Sequence, residues 1–279
     1  MTPITMQDLW NSQLLTQEAL LWARDNLDYV NTPMTLFGSS LKVEKGSDKF
    51  ETRILYLQPA GKVSKKTLCA FAEAAGCEGP CLISSGQLGM TTGQRAATKR
   101  TILLLLRPEW FKGQLLREID KAERRALKTG IPALFRLNGT SDLDWSDVIK
   151  ERPNSAFYDY TKVLSRVRKN TLSNYHLTFS GSMYSVASKR ALGKAVSRGY
   201  NVAVAFNTKG LKSDTILIPL EQLADFDKTD LRPLDPKGSI GALKRKGSNK
   251  QERAQEGYKS FFVTKENHTE FQHIITKVA

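Results

Sequence analysis

The chain has 279 residues, 40% of them hydrophobic, enough to bury a full core as one large α/β domain or one domain with an appendage. Forty-two Lys and Arg against 28 Asp and Glu leave a formal charge of +14, more than solubility requires. That excess points to a polyanionic partner, nucleic acid before others and DNA before RNA. The opening residues MTPITMQDLW lack the basic and apolar regions of a secretory leader. The longest apolar run, Ile102 to Leu106, is far too short to span a bilayer, so an intracellular protein without a membrane partner is expected.

In chain order, Leu9, Trp10, Leu14, Leu15, Leu20, Leu21 and Trp22 fall at roughly helical spacing and predict a helical arm over 6–27. The period then changes. Thr35, Phe37, Leu41 and Val43, then Phe50, Thr52, Ile54, Tyr56 and Leu57, predict two strands joined through Gly46-Ser47-Asp48, a hairpin that ends at Pro59-Ala60-Gly61. Positions 62–93, rich in Cys, Gly, Ser and Ala without periodicity, read as a loop with short helices. Pro108 and Gly130 bracket a helix with an apolar stripe. Its other face carries Arg117, Lys121, Arg124, Arg125 and Lys128 at steps of three and four, either a phosphate-tracking ridge or a solvated face balanced by Glu118, Asp120 and Glu123.

After Gly130 strand-like runs recur at Ala133–Leu137, Ala156–Tyr158, Tyr175–Phe179 and Asn201–Phe206, separated by helix-compatible segments such as Tyr184–Arg198. This is the spacing of βαβ units with parallel strands. Thr215–Leu217 and Ser239–Leu243 are further candidates, and Phe261-Phe262-Val263 a last one. The fold expected is α/β: a barrel-like, partial TIM-type parallel sheet with an N-terminal helical arm and β-hairpin, an open doubly wound sheet being the alternative. The pattern divides the chain into an arm and hairpin (1–61), a Cys loop with basic helices (62–130), and a βα-repeat portion of the same domain (131–279). Lys244, Arg245 and Lys246 open a basic loop that runs to Lys250 and offers a second contact for nucleic acid.

Each recurring strand runs into polar groups: Asn138, Ser141 and Asp142, then Asp159 and Lys162, then Ser180, then Asn207. Parallel strands gather such groups on one rim. Asp142, Asp159 and Lys162 supply the residue types for nucleophilic or acid/base catalysis, with Asn138, Ser141, His176, Ser180 and Asn207 as substrate contacts. Aspartates that follow strands also cap turns, and His176 within YHLTF equally suits a core position. Cys69, Cys77 and Cys81, an odd number on one glycine-bearing loop, make no secreted disulfide framework. Three thiolates there can hold zinc, given a fourth ligand, or an iron–sulfur cluster with one iron left open; small buried packing residues are the alternative. No phosphate-loop, dinucleotide or HExxH motif is present.

The Cys loop, GQRAATKRTILLLLRPEWF, RLNGTSDLDW, FYDYTK, NYHLTFS and NVAVAF together resemble the bacteriophage "gene product eighty-eight" family over about Lys65 to Val263. The resemblance implies a phage or prophage protein acting in the bacterial host cytoplasm. The order of Cys loop, strand-Asp and strand-Thr-Lys is similar, at the level of fold, to phage three-Cys-motif proteins that look like iron–sulfur partial barrels. Three functions follow as expectations. The first is a nucleic-acid-modifying enzyme resembling the queuine-type transglycosylases, in which Asp142 or Asp159 attacks a sugar C1′, the other acts as base and Lys162 steadies phosphate; that family's late zinc cluster of three cysteines and a histidine, and its glycine-rich base motif, are absent here. The second is a radical-type iron–sulfur enzyme using the three cysteines. The third is a non-enzymatic DNA binder.

Overall fold

The structure, a computed structural model, describes residues 1–38, 48–84, 86–207, 223–246 and 259–276. The expected arm forms as three short helices, α1 (Met6–Trp10), α2 (Gln17–Asp25) and α3 (Leu27–Asn31). Thr5 and Asp8 close a capping box at the start of α1, and the Thr16 hydroxyl accepts from Ala19 N at the start of α2. Lys99, 1% exposed, holds the arm to the body: its ammonium donates to the Tyr29 carbonyl at 2.6 Å and to the Thr32 carbonyl and hydroxyl at 2.7 Å each.

Eight described strands make one sheet in the order β1-β2-β3-β4-β5-β6-β8-β7. They are β1 (Phe37–Gly38), β2 (Glu51–Leu55), β3 (Ala133–Arg136), β4 (Ala156–Thr161), β5 (Tyr175–Gly181), β6 (Val202–Phe206), β7 (Ala224–Asp225) and β8 (Ile240–Lys244). Only the β1–β2 pair is antiparallel. The expected hairpin is therefore present at its base; its turn, with Leu41, Val43, Gly46 and Ser47, lies outside the described residues, as does the candidate strand Thr215–Leu217. Its second strand, β2, is also the first strand of the parallel sheet. From β2 to β6 neighbours in space are neighbours in sequence, with no reversal of order. A doubly wound sheet needs such a reversal; here the sheet is open between β1 and β7, mostly parallel, and wound in one direction through β6, with β7 and β8 exchanged at its last edge.

Helices α4 (Thr91–Leu106), α5 (Pro108–Thr129), α6 (Ser146–Lys150), α7 (Leu164–Lys169), α8 (Val186–Ser197) and α9 (His268–Thr276) complete the described chain. Pro108 opens α5 and Gly130, at φ 72°, closes it in the left-handed region. Phe111, Leu115, Ile119 and Ala122 of α5 are buried in one core with Phe135, Phe157 and Leu177, while Leu192 and Phe271 lie in a second core with Phe179, Val202 and Val204. One face of the sheet is thus covered by helices. The other carries Leu134 and Tyr158 against Leu231, with Phe226 packed over Gly241, where a Cβ would lie 2.0 Å from the ring.

Three differences from the expected pattern matter. β4 runs on to Thr161 and β5 to Gly181, so Asp159 and Ser180 lie within strands and not beyond them. Phe261 closes a 3-10 turn over Lys259–Phe261, and Val263 makes only an isolated bridge to Phe206. A single long helix occupies 91–106, where the sequence pattern marks out no element of its own.

Candidate functional site

Alternation along β4 sorts its residues onto two faces. Phe157 lies in the helix-covered core and Tyr158 in the opposite cluster, so Asp159 and Thr161 side with the helices while Tyr160 and Lys162 face the open side. Asp159 is wholly buried and its carboxylate accepts from Asn138 N at 2.7 Å, the Tyr175 hydroxyl at 2.9 Å and Asn138 Nδ2 at 3.3 Å. Burial outweighs these donors and raises the Asp159 carboxyl to about 7. Asp142 accepts from the Thr161 hydroxyl at 2.8 Å, from Lys162 N at 2.9 Å and from the Arg166 guanidinium. Both carboxylates are therefore engaged within the protein.

The stretch RLNGTSD ties strands together. Asn138 Oδ1 accepts from the Ser141 hydroxyl, Leu143 N and Trp145 Nε1. The Thr140 hydroxyl reaches the Leu57 carbonyl at 2.6 Å, and Asp142 N donates to Leu68 O at 2.9 Å, next to a bridge between Cys69 and Asp142. Gly139 is required here: a Cβ would lie 2.7 Å from Leu55 O and from the Ile54 and Tyr56 side chains. This knot fixes the near end of the cysteine loop. The far end docks on the end of β5, where the Ser182 hydroxyl donates to Ala75 O and the Ser185 hydroxyl to Ala74 O, each at 2.9 Å. Gly76, at φ 64°, presses on Tyr184 with room for no side chain.

The loop carries Cys69, Cys77 and Cys81, all half-buried free thiols. It follows β2, the first strand of the parallel series, and lies across the carboxyl edge of the sheet. Burial raises all three thiols, Cys69 to about 12, and Cys69 and Cys81 also feel Cys77. Lys162 lies at the same edge: its backbone N donates to Asp142, which bridges Cys69. Its ammonium donates to the carbonyl and the hydroxyl of Ser180 at 3.1 Å each and lies 4.8 Å from the centre of the Phe261 ring. Burial lowers the Lys162 ammonium, against the opposing charges of Cys77, Asp142, Cys69 and Cys81. Two features the sequence presented separately, the cysteine loop and the rim lysine, thus share one edge of the sheet. Among the described residues no three His, Cys, Asp or Glu side chains are gathered closely enough to hold a metal ion as they stand.

The remaining candidates are dispersed. His176 faces the open side mid-sheet; its Nε2 is buried without a partner, and burial, then Arg232, lowers its imidazole. Asn207 donates its backbone N–H to Val263 O beyond β6. Arg117, Lys121, Arg124, Arg125 and Lys128 form an exposed ridge on α5, where Arg125 pairs with Glu51 and Arg117 donates to Gln114. Lys244 N and the Lys246 ammonium turn back onto Asp227, and Arg245 N donates to Phe206 O; Gly247 to Lys250 lie outside the described residues. Sequence reasoning missed Arg166, which anchors Asp142, and a buried set in which Asp230 accepts from Arg136 at 2.9 Å, the Tyr158 hydroxyl at 2.9 Å and the Tyr160 hydroxyl at 3.2 Å. The alternation of FYDYTK was the signal that could have put both tyrosines beside Lys162 and apart from Asp159. No helix among the described residues is long and apolar enough to cross a membrane.

Neither the curated proteins nor the solved structures contain a match to this chain. The model of the family described as Gene product 88 matches residues 31–259, in agreement with the resemblance carried by the motifs. The chain belongs to the Gene product 88 family.

Proposed function

We propose that the protein is an iron–sulfur enzyme of the radical type whose cluster is held by Cys69, Cys77 and Cys81. One observation carries this reading: three free thiols on the loop after the first parallel strand share with Lys162, which their charges reach, the carboxyl edge of the parallel sheet, the edge where such sheets do chemistry. The residue type suits the group, since thiolates are the usual ligands of iron–sulfur clusters; as they stand the three thiols are not gathered closely enough for a single ion. The thiols must lose protons on binding, so uptake is favoured as pH rises. When bound, a three-thiolate cluster supplies single electrons through an iron left open for a co-substrate.

The chain's own residues do the rest. Asn138, Gly139 and Asp142 hold one end of the loop, Ser182 and Ser185 hold the other, and the Lys162 ammonium offsets the charge of the thiolates from the open face of the sheet. The test is iron and acid-labile sulfide analysis of protein purified and reconstituted without oxygen. Roughly four irons per chain are expected, lost in each of Cys69→Ala, Cys77→Ala and Cys81→Ala. An iron-free wild-type protein overturns the reading.

A second reading is base exchange on nucleic acid with Asp142 or Asp159 as nucleophile or base. The raised Asp159 carboxyl favours it, since a group near 7 exchanges protons at neutral pH; its complete burial weighs against it. Altered DNA composition in cells expressing the wild-type chain, absent with Asp142→Asn and Asp159→Asn, is the result this reading requires.

A further inference from the structure

A groove of about 420 Å³ lies on the helix-covered side of the rim, between α6 and α7. Lys150, Arg166 and Lys169 line it, together with Ser146, Ser165 and Thr171. Its apolar wall includes Val163, Leu172 and Leu177. One acid, Asp144, enters the lining: its Oδ1 accepts from Ser146 N at 3.0 Å and from the Ser146 hydroxyl at 2.5 Å, and its charge is felt by Arg166 and Lys150. Arg166 binds Asp142 and so joins the groove to the rim. Lys150 and Lys169 are exposed and make no ion pair among the described residues.

We propose that this groove binds the phosphate backbone of a nucleic acid and leads the strand to the cysteine edge. The inference stands apart from the iron–sulfur reading, since it rests on the groove and the charge of the chain. Unpaired lysines beside hydroxyl donors are the side chains that contact phosphate oxygens. The rival surface is the α5 ridge, where Arg125 is paired with Glu51 and Arg117 is held by Gln114; Lys121, Arg124 and Lys128 make no ion pair among the described residues, but they stand on an exposed helix face and not in a groove. The net charge of +14 draws polyanions toward the whole molecule; the groove is where cations, hydroxyl-bearing residues and a concave surface meet the rim, through Arg166.

The experiment is fluorescence anisotropy of the full chain with fluorescein-labelled single-stranded and duplex DNA and RNA of one sequence, at stepped salt. Lys150→Glu with Lys169→Glu is compared with Lys121→Glu with Lys128→Glu on α5, which changes the net charge by the same amount. The groove pair is expected to lose at least about tenfold in affinity for the preferred form and to flatten the salt dependence by about two phosphate contacts. The α5 pair is expected to lose less. Equal losses in the two pairs, a larger loss on α5, or a wild-type chain that binds none of the four nucleic acids overturns the proposal. The comparison is unaffected by whether iron is bound.

Discussion

Asp159 shows how one buried carboxyl couples the site to pH. Its folded value, about 7, lies above the ordinary 3.8. The folded state therefore holds a proton that the unfolded state releases between those values, and stability from this group falls as pH rises from about 4 toward 7. Roughly three pKa units bound the effect at the order of 4 kcal/mol. Asp159→Asn keeps a shape that can still meet Asn138 and Tyr175, and denaturant titrations at pH 5 and pH 8 are expected to differ less in that variant than in wild type. An unchanged pH slope would remove the assignment. Gly139→Ala is expected to cost about 2–3 kcal/mol, because its Cβ meets the Leu55 carbonyl, which cannot rotate away. At this scale the sequence revealed which residues gather near the edge but not the contacts they make within the chain. Asn138, Ser141 and Asp142 carry such contacts, and polar residues after a strand look alike in sequence whether they bind a ligand, the chain or both.

Among the elements, the cysteine loop has little regular structure of its own and depends on what it docks against. Ser182→Ala with Ser185→Ala removes both hydroxyls that hold its far end, and faster amide hydrogen exchange is expected over 72–77, with β3 and β4 unchanged. Exchange over 72–77 that is the same in variant and wild type would contradict the docking. The N-terminal arm rests on Lys99 in a comparable way. Lys99→Met leaves the Tyr29 and Thr32 carbonyls without their donor, and a loss of about 2–3 kcal/mol is expected, read as earlier proteolysis near α3. Helix α5 was legible because proline and glycine bracket an apolar stripe. Helix α4 was not: its apolar residues bunch at the end, Ile102 to Leu106, and its first turns are polar, so no stripe appears. The loop's docking was likewise hidden, since it joins residues more than a hundred positions apart.

For the whole molecule, strands in sequential order from β1 to β6 leave one face of the sheet to the helices and the other to polar residues and the segment carrying Phe226 and Asp230. The regular spacing of apolar runs after Gly130 made this architecture readable, since each run had to be a strand buried on both faces. Its first parallel strand was harder to see, because β2 belongs to the hairpin and to the main sheet at once. That double membership places the cysteine loop at the same edge as Lys162, and on it the account turns. The most direct measurement is electron paramagnetic resonance of the reduced protein after reconstitution without oxygen. The account predicts an iron–sulfur signal in the wild type that is absent in Cys77→Ala; a silent, iron-free wild-type protein that is otherwise folded would contradict it.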